Sequence, residues 1–223
     1  MTHLRSSLDG TDALECQLDE GNDMSAANTG SLRDRRRAEL LSQIQLNAYE
    51  LFAARGFDAV TTEDIAAAAG ISISTYFRHA PTKEGLLVDP VREAIGEIVG
   101  SYSARPHDES AVEALIQVFV TRARDADELD NLDTWRHAIA TAPHLLSKTA
   151  LVSEADHDKF LQQVAFRMGV DASDDVRPAL LVHTSLATIR FVLDRWLSPD
   201  VEMSELFHVQ LEQALRITLC SFD

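Results

Sequence analysis

A short hydroxyl-rich segment in the first half of the chain concentrates side chains that can contact nucleic acid. The hydroxyl groups of Ser74 and Thr75 are small enough to approach base edges in a DNA groove. The basic side chains of Arg78, His79 and Lys83 follow them and can contact phosphates. This composition is unusual for a helix buried in a protein core. We therefore favour DNA binding over a purely structural role for the segment.

Two short helices joined by a glycine turn are predicted to position these side chains. The first helix has its N-cap at Thr62. It is rich in alanine, whose small side chain lets another helix pack closely against it. Gly70 follows where a helix ends in a left-handed residue. Ser72 can cap the second helix, Pro81 ends it, and Thr82 can cap a third. Two helices connected in this way form a helix-turn-helix, whose second helix enters the major groove of DNA.

An amphipathic helix is predicted upstream of this motif, from Arg33 to Gly56. Its apolar residues recur at three- and four-residue steps. They are Leu41, Ile44, Ala48, Leu51 and Phe52. The start of the helix carries a cluster of arginines that includes Arg36, which can contact the minor groove or flanking phosphates. Ordinary solvent-exposed helix charges explain the cluster equally well.

The residues from Phe52 to Leu86 repeat the spacing of a known DNA-binding domain. The shared positions are Phe52, Gly56, Phe57, Thr61, Thr62, Ile65, Ala66, Ala69, Gly70, Ile71, Ser72, Thr75, Phe77, Lys83, Glu84 and Leu86. In this pattern the chain resembles the TetR family of bacterial transcriptional regulators. The resemblance implies an all-α homodimer whose three N-terminal helices bind a palindromic operator and whose C-terminal domain binds a small effector.

The resemblance also assigns DNA contacts and exposes two departures. The positions at which the family touches DNA are occupied here by Thr62, Ile73, Ser74, Thr75, Phe77, Arg78, His79 and Lys83. Among these, Thr62, His79 and Lys83 are expected to contact phosphates. Phe77 replaces a tyrosine whose hydroxyl bonds a phosphate, and Tyr76 points about 100° away from it on a helix. Ala80 replaces a bulky aromatic residue, so the packing there must come from elsewhere in the domain.

The distribution of charge supports DNA binding by one segment only. The formal net charge is −16, with −5 in residues 1–32, +1 in residues 33–83 and −12 in residues 84–223. The segment with the motif is thus the only one that is not acidic. The acidic remainder would repel DNA and help to orient docking. The negative total argues against nucleoid coating and against binding to anionic membranes.

The sequence predicts a cytoplasmic protein. Cys16 and Cys220 are its only cysteines and lie near opposite ends of the chain, so they give no disulfide framework. The N-terminus lacks the pattern of a signal peptide. No apolar run approaches the roughly 18 residues that span a membrane.

The chain is predicted to divide into three parts. Residues 1–32 form a disordered acidic extension, in which Met24 is an alternative start. Residues 33–83 form the DNA-binding domain, and residues 84–223 form a helical domain for ligand binding and dimerisation. No segment of this last part alternates as a strand would, so the predicted fold class is all-α.

Helix periodicity divides the C-terminal part further. A connecting helix is predicted to run from Lys83 to about Tyr102, with an interruption near Pro90. Further helices are predicted at roughly 109–125, 131–142, 143–153, 155–168, 174–197 and 202–221. The last two carry broad apolar faces and could form a four-helix dimer interface, which is also the habit of the TetR family. Part of each face must also pack within its own chain.

A set of large apolar residues could line a ligand cavity, although ordinary core packing is the favoured interpretation for any single one. The candidates are Phe119, Trp135, Leu145, Phe166, Leu186 and Phe191, together with Leu146 and Phe160. Arg136 lies beside Trp135, and an arginine on an apolar helix needs an anionic partner. That partner is predicted to be a protein carboxylate, with the acidic head of a ligand as the alternative.

A looser resemblance suggests the kind of effector. The residues around Trp135 and Ala142, and again around Leu193, are similar to one branch of the TetR family, which has an acyl-CoA-like ligand-binding domain. The resemblance implies an elongated amphipathic effector, such as an acyl-CoA or a lipid-like acid.

Two other classes of function compete with a DNA-binding regulator. The sequence lacks the motifs HExxH, GxSxG and a glycine-rich phosphate loop, and its histidines lack metal-ligand spacing, so we predict neither an enzyme nor a cofactor or metal site. The second alternative is a helical small-molecule carrier or interaction module with little operator binding. Phe77 and Ala80 are the departures that keep this alternative open.

Overall fold

The computed structural model describes residues 23–148, 150–198 and 206–220. Within these ranges the regular structure consists entirely of helices, which confirms the all-α fold class. The helices are α1 (Asp23–Arg55), α2 (Thr62–Ala68), α3 (Ile73–His79), α4 (Lys83–Tyr102), α5 (Ala111–Asp127), α6 (Leu132–Ala140), α7 (His144–Lys148), α8 (Glu154–Met168), α9 (Arg177–Leu197) and α10 (Phe207–Leu219). A membrane crossing would need a longer and more apolar helix than any that the described residues form.

The chain divides into two compact units, the first ending at Leu40 and the second beginning at Leu41. Helix α1 starts at Asp23, well before the predicted start at Arg33. The stretch between them has no apolar stripe, which is why periodicity could not detect it. The rest of the predicted acidic extension, residues 1–22, lies outside the described residues. The border predicted between residues 83 and 84 falls inside the second unit.

The apolar stripe of α1 packs as its periodicity predicts. Ile44, Ala48 and Phe52 are fully buried. Gly56 ends the helix with φ of 82°, a left-handed conformation that glycine adopts without a steric penalty. The rings of Phe52 and Phe57 then pack with their centroids 5.0 Å apart, which fixes the chain as it leaves α1.

Helix α4 passes through Pro90 without a break, so the predicted interruption is wrong. Proline has no backbone N–H, and Pro90 cannot donate to the Leu86 carbonyl one turn earlier. That carbonyl accepts instead from the Tyr49 hydroxyl, with an O–O distance of 3.0 Å. The neighbouring carbonyl, of Leu87, accepts from the indole N–H of Trp135, also at 3.0 Å. Side chains from α1 and α6 thus satisfy carbonyls of α4 beside the proline.

The C-terminal helices share one hydrophobic core. It is built from α4, α5, α8, α9 and α10, and its buried residues include Val99, Tyr102, Leu115, Phe119, Phe160, Val164, Leu181, Val192, Leu211 and Leu215. Helices α5, α8 and α9 agree with their predicted ranges to within a few residues. Helix α7 is shorter than predicted, because Ser153 has extended backbone angles and caps α8. The predicted start of the last helix, at residue 202, lies outside the described residues.

Candidate nucleic-acid interface and ligand cavity

Helix α2 begins one residue earlier than predicted, because its N-cap is Thr61 and not Thr62. The Thr61 hydroxyl accepts from the backbone N–H of Asp64 at 3.1 Å, and the Asp64 carboxylate accepts from the backbone N–H of Thr61 at 3.0 Å. This reciprocal pair is a capping box. The hydrogen bonds from Thr61 hold the pKa of the Asp64 carboxyl below its ordinary value.

The turn between α2 and α3 has the predicted left-handed glycine. Gly70 has φ of 69°, which only glycine adopts cheaply. The N–H of Gly70 donates to the Ala67 carbonyl at 3.1 Å, and the N–H of Ile71 donates to the Ala66 carbonyl at 2.9 Å. These bonds satisfy the end of α2 and turn the chain sharply towards α3.

Helix α3 has one buried face and one exposed face. Ser72 caps it, as predicted, by accepting from the backbone N–H of Thr75 at 3.2 Å. Tyr76 and Ala80 are buried and lie one turn apart on the inner face. Four residues are exposed on the outer face: Ile73, Ser74, Phe77 and Arg78. A helix held in this way presents its outer side chains to a partner outside the domain.

The two aromatic residues of α3 have opposite roles. Phe77 is 49% exposed, whereas Tyr76 is fully buried. Their rings pack edge to face with centroids 5.3 Å apart. Tyr76 cannot replace the missing tyrosine at position 77, because its hydroxyl points into the core, where it has no partner among the described residues. Burial, with a smaller effect of Glu84, raises the pKa of Tyr76 to about 12. Its ring supplies bulk beside Ala80.

A hydroxyl network lies on the outer face of α3. The Thr75 hydroxyl bonds the Ser72 hydroxyl at 3.0 Å and accepts from a guanidinium N–H of Arg78 at 3.3 Å. Ser74, by contrast, makes no hydrogen bond through its hydroxyl to any residue that the structure describes. Of the two hydroxyls predicted to contact base edges, Ser74 is therefore the one that is free to do so.

Lys83 has a structural role that the sequence did not indicate. Its ammonium donates to the carbonyls of Phe57 at 2.8 Å and Val60 at 2.9 Å, and it lies 4.1 Å from the centre of the Phe57 ring. An ammonium has three N–H donors, so one remains for a phosphate. The first task of this lysine is to join the start of α4 to the loop between α1 and α2.

The other residues predicted to contact phosphates make fewer hydrogen bonds within the described part of the protein than Lys83 does. The Thr62 hydroxyl donates to the Glu63 carboxylate at 3.1 Å, and the side chain is half-buried. His79 is also half-buried, and its Nδ1 is buried without a partner in the described part of the chain. Arg36 lies in the first unit, where it is exposed on α1.

A cavity of about 540 Å³ lies among the helices of the second unit. Its walls come from α1, α4, α5, α6, α9 and α10 and are mainly apolar. They include Tyr49, Pro90, Phe119, Trp135, Leu186, Ile189, Leu193, Trp196, Phe207 and Leu211. We call this space the effector cavity. The indoles of Trp135 and Trp196 stack at 6.4 Å with 22° between their planes, and the Phe207 ring lies 5.2 Å from that of Trp196.

The two arginines that line the effector cavity are each paired with a carboxylate, whereas the lining residue Glu93 has no ion pair among the described residues. Arg122 donates to the Glu97 carboxylate at 2.9 Å. Arg190 donates to the Asp194 carboxylate at 2.8 Å and to the Leu146 carbonyl at 2.5 Å. Neither guanidinium is therefore free to neutralise a strongly anionic ligand. Both arginines, and Tyr49, were missed because nothing in their local sequence indicates a cavity.

The predicted cavity residues divide into two groups. Phe119, Trp135 and Leu186 line the effector cavity. Leu145 and Phe191 do not line it, and Phe166 lines a separate, smaller cavity beside α8, so a ligand contact by these three residues stays a prediction. Phe166 is 82% exposed and Phe191 is 65% exposed. Both lie on amphipathic helices, and helical spacing alone did not determine which face of α8 and α9 is turned inward.

Arg136 lies outside the cavity lining and has no carboxylate partner in the described residues. Its Nε donates to the Trp196 carbonyl at 3.0 Å, and its guanidinium lies 5.0 Å from the Trp196 ring centre. The favoured partner, a protein carboxylate, is therefore not found among the described residues, where a helix-terminal carbonyl and an indole face contact this arginine instead, and the alternative of an acidic ligand head stays a prediction. Nor do the described residues bring three His, Cys, Asp or Glu side chains together as a metal site.

The combination of a capped helix-turn-helix with a helical domain that contains a cavity is typical of helix-turn-helix regulators. The family model described as bacterial regulatory proteins of the tetR family matches residues 46–89. The HTH-type transcriptional regulator TcmR of Streptomyces glaucescens is 30% identical over 208 residues, which cover 89% of this chain and 91% of that protein. The chain belongs to the TetR family of transcriptional regulators.

Solved structures share the fold. SmeT, the repressor of the Stenotrophomonas maltophilia multidrug efflux pump SmeDEF, aligns with a TM-score of 0.54 at 17% identity, over 81% of this chain and 89% of that one. A regulator assigned to the TetR family from Mesorhizobium loti MAFF303099 aligns with a TM-score of 0.51 at 18% identity, over 83% of this chain and 98% of that one. At these identities the similarity establishes the fold alone.

Proposed function

We propose that the protein is a ligand-responsive repressor that binds a palindromic operator as a homodimer in the cytoplasm. The observation that carries this proposal is the position of α4. It begins at Lys83, directly after the helix-turn-helix, and then contributes Pro90, Val91 and Ala94 to the wall of the effector cavity. A molecule in the cavity therefore contacts the helix that follows the DNA-binding helices.

Helix α3 would lie in the major groove, as in other helix-turn-helix proteins. Ser74 has a free hydroxyl for a base edge, and Ile73 and Phe77 can contact a thymine methyl group. Arg78 is exposed and would contact phosphate or guanine. Thr62, His79, the third N–H of Lys83 and Arg36 remain predicted phosphate contacts.

The effector is proposed to be a compact, mainly apolar molecule. The walls of the effector cavity are rich in aromatic and aliphatic side chains. The paired state of Arg122 and Arg190 provides no free charge for a polyanion. An acyl-CoA, predicted from the looser resemblance, would have to leave its phosphates outside the cavity or break these pairs. We therefore favour a neutral apolar ligand over an acyl thioester.

Two hydrogen bonds beside Pro90 offer a route from the effector cavity to the DNA-binding helices. Tyr49 of α1 bonds the Leu86 carbonyl and Trp135 of α6 bonds the Leu87 carbonyl, and both side chains also line the cavity. Burial, and then the nearby Glu93, raise the pKa of Tyr49 above its ordinary value, so its hydroxyl remains a donor at neutral pH. A ligand that moves either ring would change how α4 is held. That change would favour conformations with lower operator affinity.

The dimer is proposed to form through α9 and α10. Leu180 and Phe191 are exposed on α9, and Ile217 is 76% exposed on α10. Exposed large apolar side chains on the last two helices are available to a protein interface. Helices α9 and α10 of a second copy would pack against these residues. The four helices would then form a bundle, which is a common form of twofold interface.

Selection of bound sequences from a random duplex pool tests this proposal. With purified protein at near-physiological salt, we expect enrichment of one palindrome, with a half-site spacing that matches one dimer. A folded dimer that retains DNA without enriching any sequence would contradict the proposal and would favour a helical carrier. Neutral apolar compounds should then raise the melting temperature and release the selected duplex. A CoA thioester that does so better than its neutral methyl ester would refute our effector class.

A further inference from the structure

We propose that a second cavity, at the junction of α4 and α8, binds a small hydroxyaromatic carboxylate. The cavity has a volume of about 400 Å³, and its lining shares no residue with that of the effector cavity. Its basic lining residues are His107, Lys159 and Arg167, and no carboxylate lines it. In a chain with a net charge of −16, this basic lining stands apart from the acidic remainder and favours an anion.

Arg167 lines this second cavity and bonds the loop after α4. Its Nη1 donates to the Pro106 carbonyl at 2.6 Å, and its Nη2 donates to the Arg105 carbonyl at 3.0 Å. Its guanidinium lies 5.2 Å from the centre of the buried Tyr102 ring. These contacts hold the loop after α4 against α8. They involve neutral groups only, and the nearby Glu109 carboxylate is bonded to Arg105, so the charge of Arg167 is not neutralised by an ion pair within the described residues.

Polar side chains around the cavity lack partners in the part of the chain that the structure describes. The Oε1 atom of Gln163 is buried and accepts no hydrogen bond. His107, Lys159 and Gln162 are exposed, and their side chains make no hydrogen bond or ion pair with the described residues, so they are available to a ligand. A buried acceptor without a donor destabilises a protein, and a ligand that supplies the donor recovers that loss. The convergence of such groups on one cavity indicates a binding site.

The chemistry of the lining specifies three features of the ligand. A carboxylate fits the ammonium of Lys159 in the positive field of Arg167. An aromatic ring fits against Phe166, which is 82% exposed at the rim. A ring hydroxyl can donate to the Gln163 Oε1 atom once the half-buried Gln163 side chain turns this atom towards the cavity. A hydroxyaromatic carboxylate carries all three groups.

Calorimetric titration of the full chain with 4-hydroxyphenylacetate tests the inference. We expect saturable binding, with affinity at least about tenfold weaker for the uncharged 4-hydroxyphenylacetamide. Lys159→Glu should weaken binding by about fivefold or more. Arg124→Glu is the matched control, because Arg124 is an exposed cation of α5 outside both cavities, and it should leave the affinity unchanged.

Tryptophan emission reports which cavity the probe enters. The chain has two tryptophans, and both line the effector cavity, so binding at the second cavity should leave their emission unchanged. The inference is overturned by the absence of saturable binding to folded protein, by equal affinity for the amide, by unchanged affinity in Lys159→Glu, or by an emission change that follows the titration. None of these outcomes touches operator selection, so the proposed repressor function is tested separately.

Discussion

The polar groups on the outer face of α3 and those in the wall of the effector cavity differ in whether they have partners within the protein. On the outer face of α3, the Ser74 hydroxyl has no partner among the described residues, and there Arg78 bonds only a neighbouring hydroxyl. In the effector cavity, Arg122 and Arg190 are each bonded to a carboxylate. The free groups on α3 can bond an external polar partner, and we propose that this partner is DNA. The satisfied groups of the cavity leave its apolar surface to recognise a ligand.

Replacing Lys83 should change the free energy of unfolding more than any other substitution considered, because its ammonium supports two backbone carbonyls of the domain. Lys83→Met would leave the carbonyls of Phe57 and Val60 without their charged donor. We expect the free energy of unfolding, measured with urea, to fall by roughly 3 kcal/mol.

Arg78→Met is the matched control for Lys83→Met, since Arg78 is exposed. Its free energy of unfolding should change by less than about 0.5 kcal/mol. Equal stability of the Lys83→Met protein and the unmodified protein would show that the two carbonyl contacts have no structural weight.

The three tyrosines of the chain extend the comparison to buried hydroxyls. Tyr49→Phe should lower the free energy of unfolding by roughly 2 kcal/mol, because the Leu86 carbonyl beside Pro90 then has no donor. Tyr76→Phe should be neutral or stabilising by about 1 kcal/mol, since the Tyr76 hydroxyl has no partner in the described residues. Tyr102→Phe, which loses a 3.3 Å bond to the Ala111 carbonyl, should lie between them. A Tyr76→Phe cost equal to that of Tyr49→Phe would contradict the hydrogen-bond assignment.

Arg78→Met also tests the DNA side of the comparison. Because each subunit of the proposed dimer loses one phosphate contact, Arg78→Met should weaken binding to all duplexes alike and reduce the slope of log K against log salt by about 2. Arg124→Met removes a charge from α5 and should leave this slope unchanged. If Arg78→Met changed the preferred sequence without changing the slope, Arg78 would contact a base instead.

The smallest effect concerns the cap of α2. Because the Asp64 pKa is lowered in the folded protein, its contribution to stability is complete above the ordinary value of 3.8 and is lost as pH falls through the lower folded value. Asp64→Asn should therefore reduce stability slightly at neutral pH and flatten the acid limb of the stability curve. An acid limb identical to that of the unmodified protein would exclude this contribution.

Local sequence determined the DNA-binding helices well. Gly70, Ser72 and Thr82 have the roles that their residue types predict, because caps and left-handed glycines depend on neighbours in the chain. The same local logic failed by one residue at Thr61, where two adjacent threonines could each serve as the cap. It also could not foresee Lys83, whose carbonyl partners lie more than twenty residues earlier.

The cavities depended on tertiary packing that local sequence does not contain. Phe166 and Phe191 had the composition of cavity residues, yet both are exposed and neither lines the effector cavity. Pro90 was expected to interrupt α4, but the distant Tyr49 hydroxyl satisfies the carbonyl that it leaves free. In each case the structure depends on packing against another helix.

Selection of operator sequences with Ser74→Ala, alongside the unmodified protein, tests the central claim most directly. If the free hydroxyl of α3 contacts a base edge, both proteins should enrich the same palindrome, and Ser74→Ala should lose preference at one symmetric position in each half-site. Stability should be unaffected, because Ser74 is exposed. Identical preferences at every position would show that α3 does not determine sequence through Ser74 and would contradict the account of its outer face.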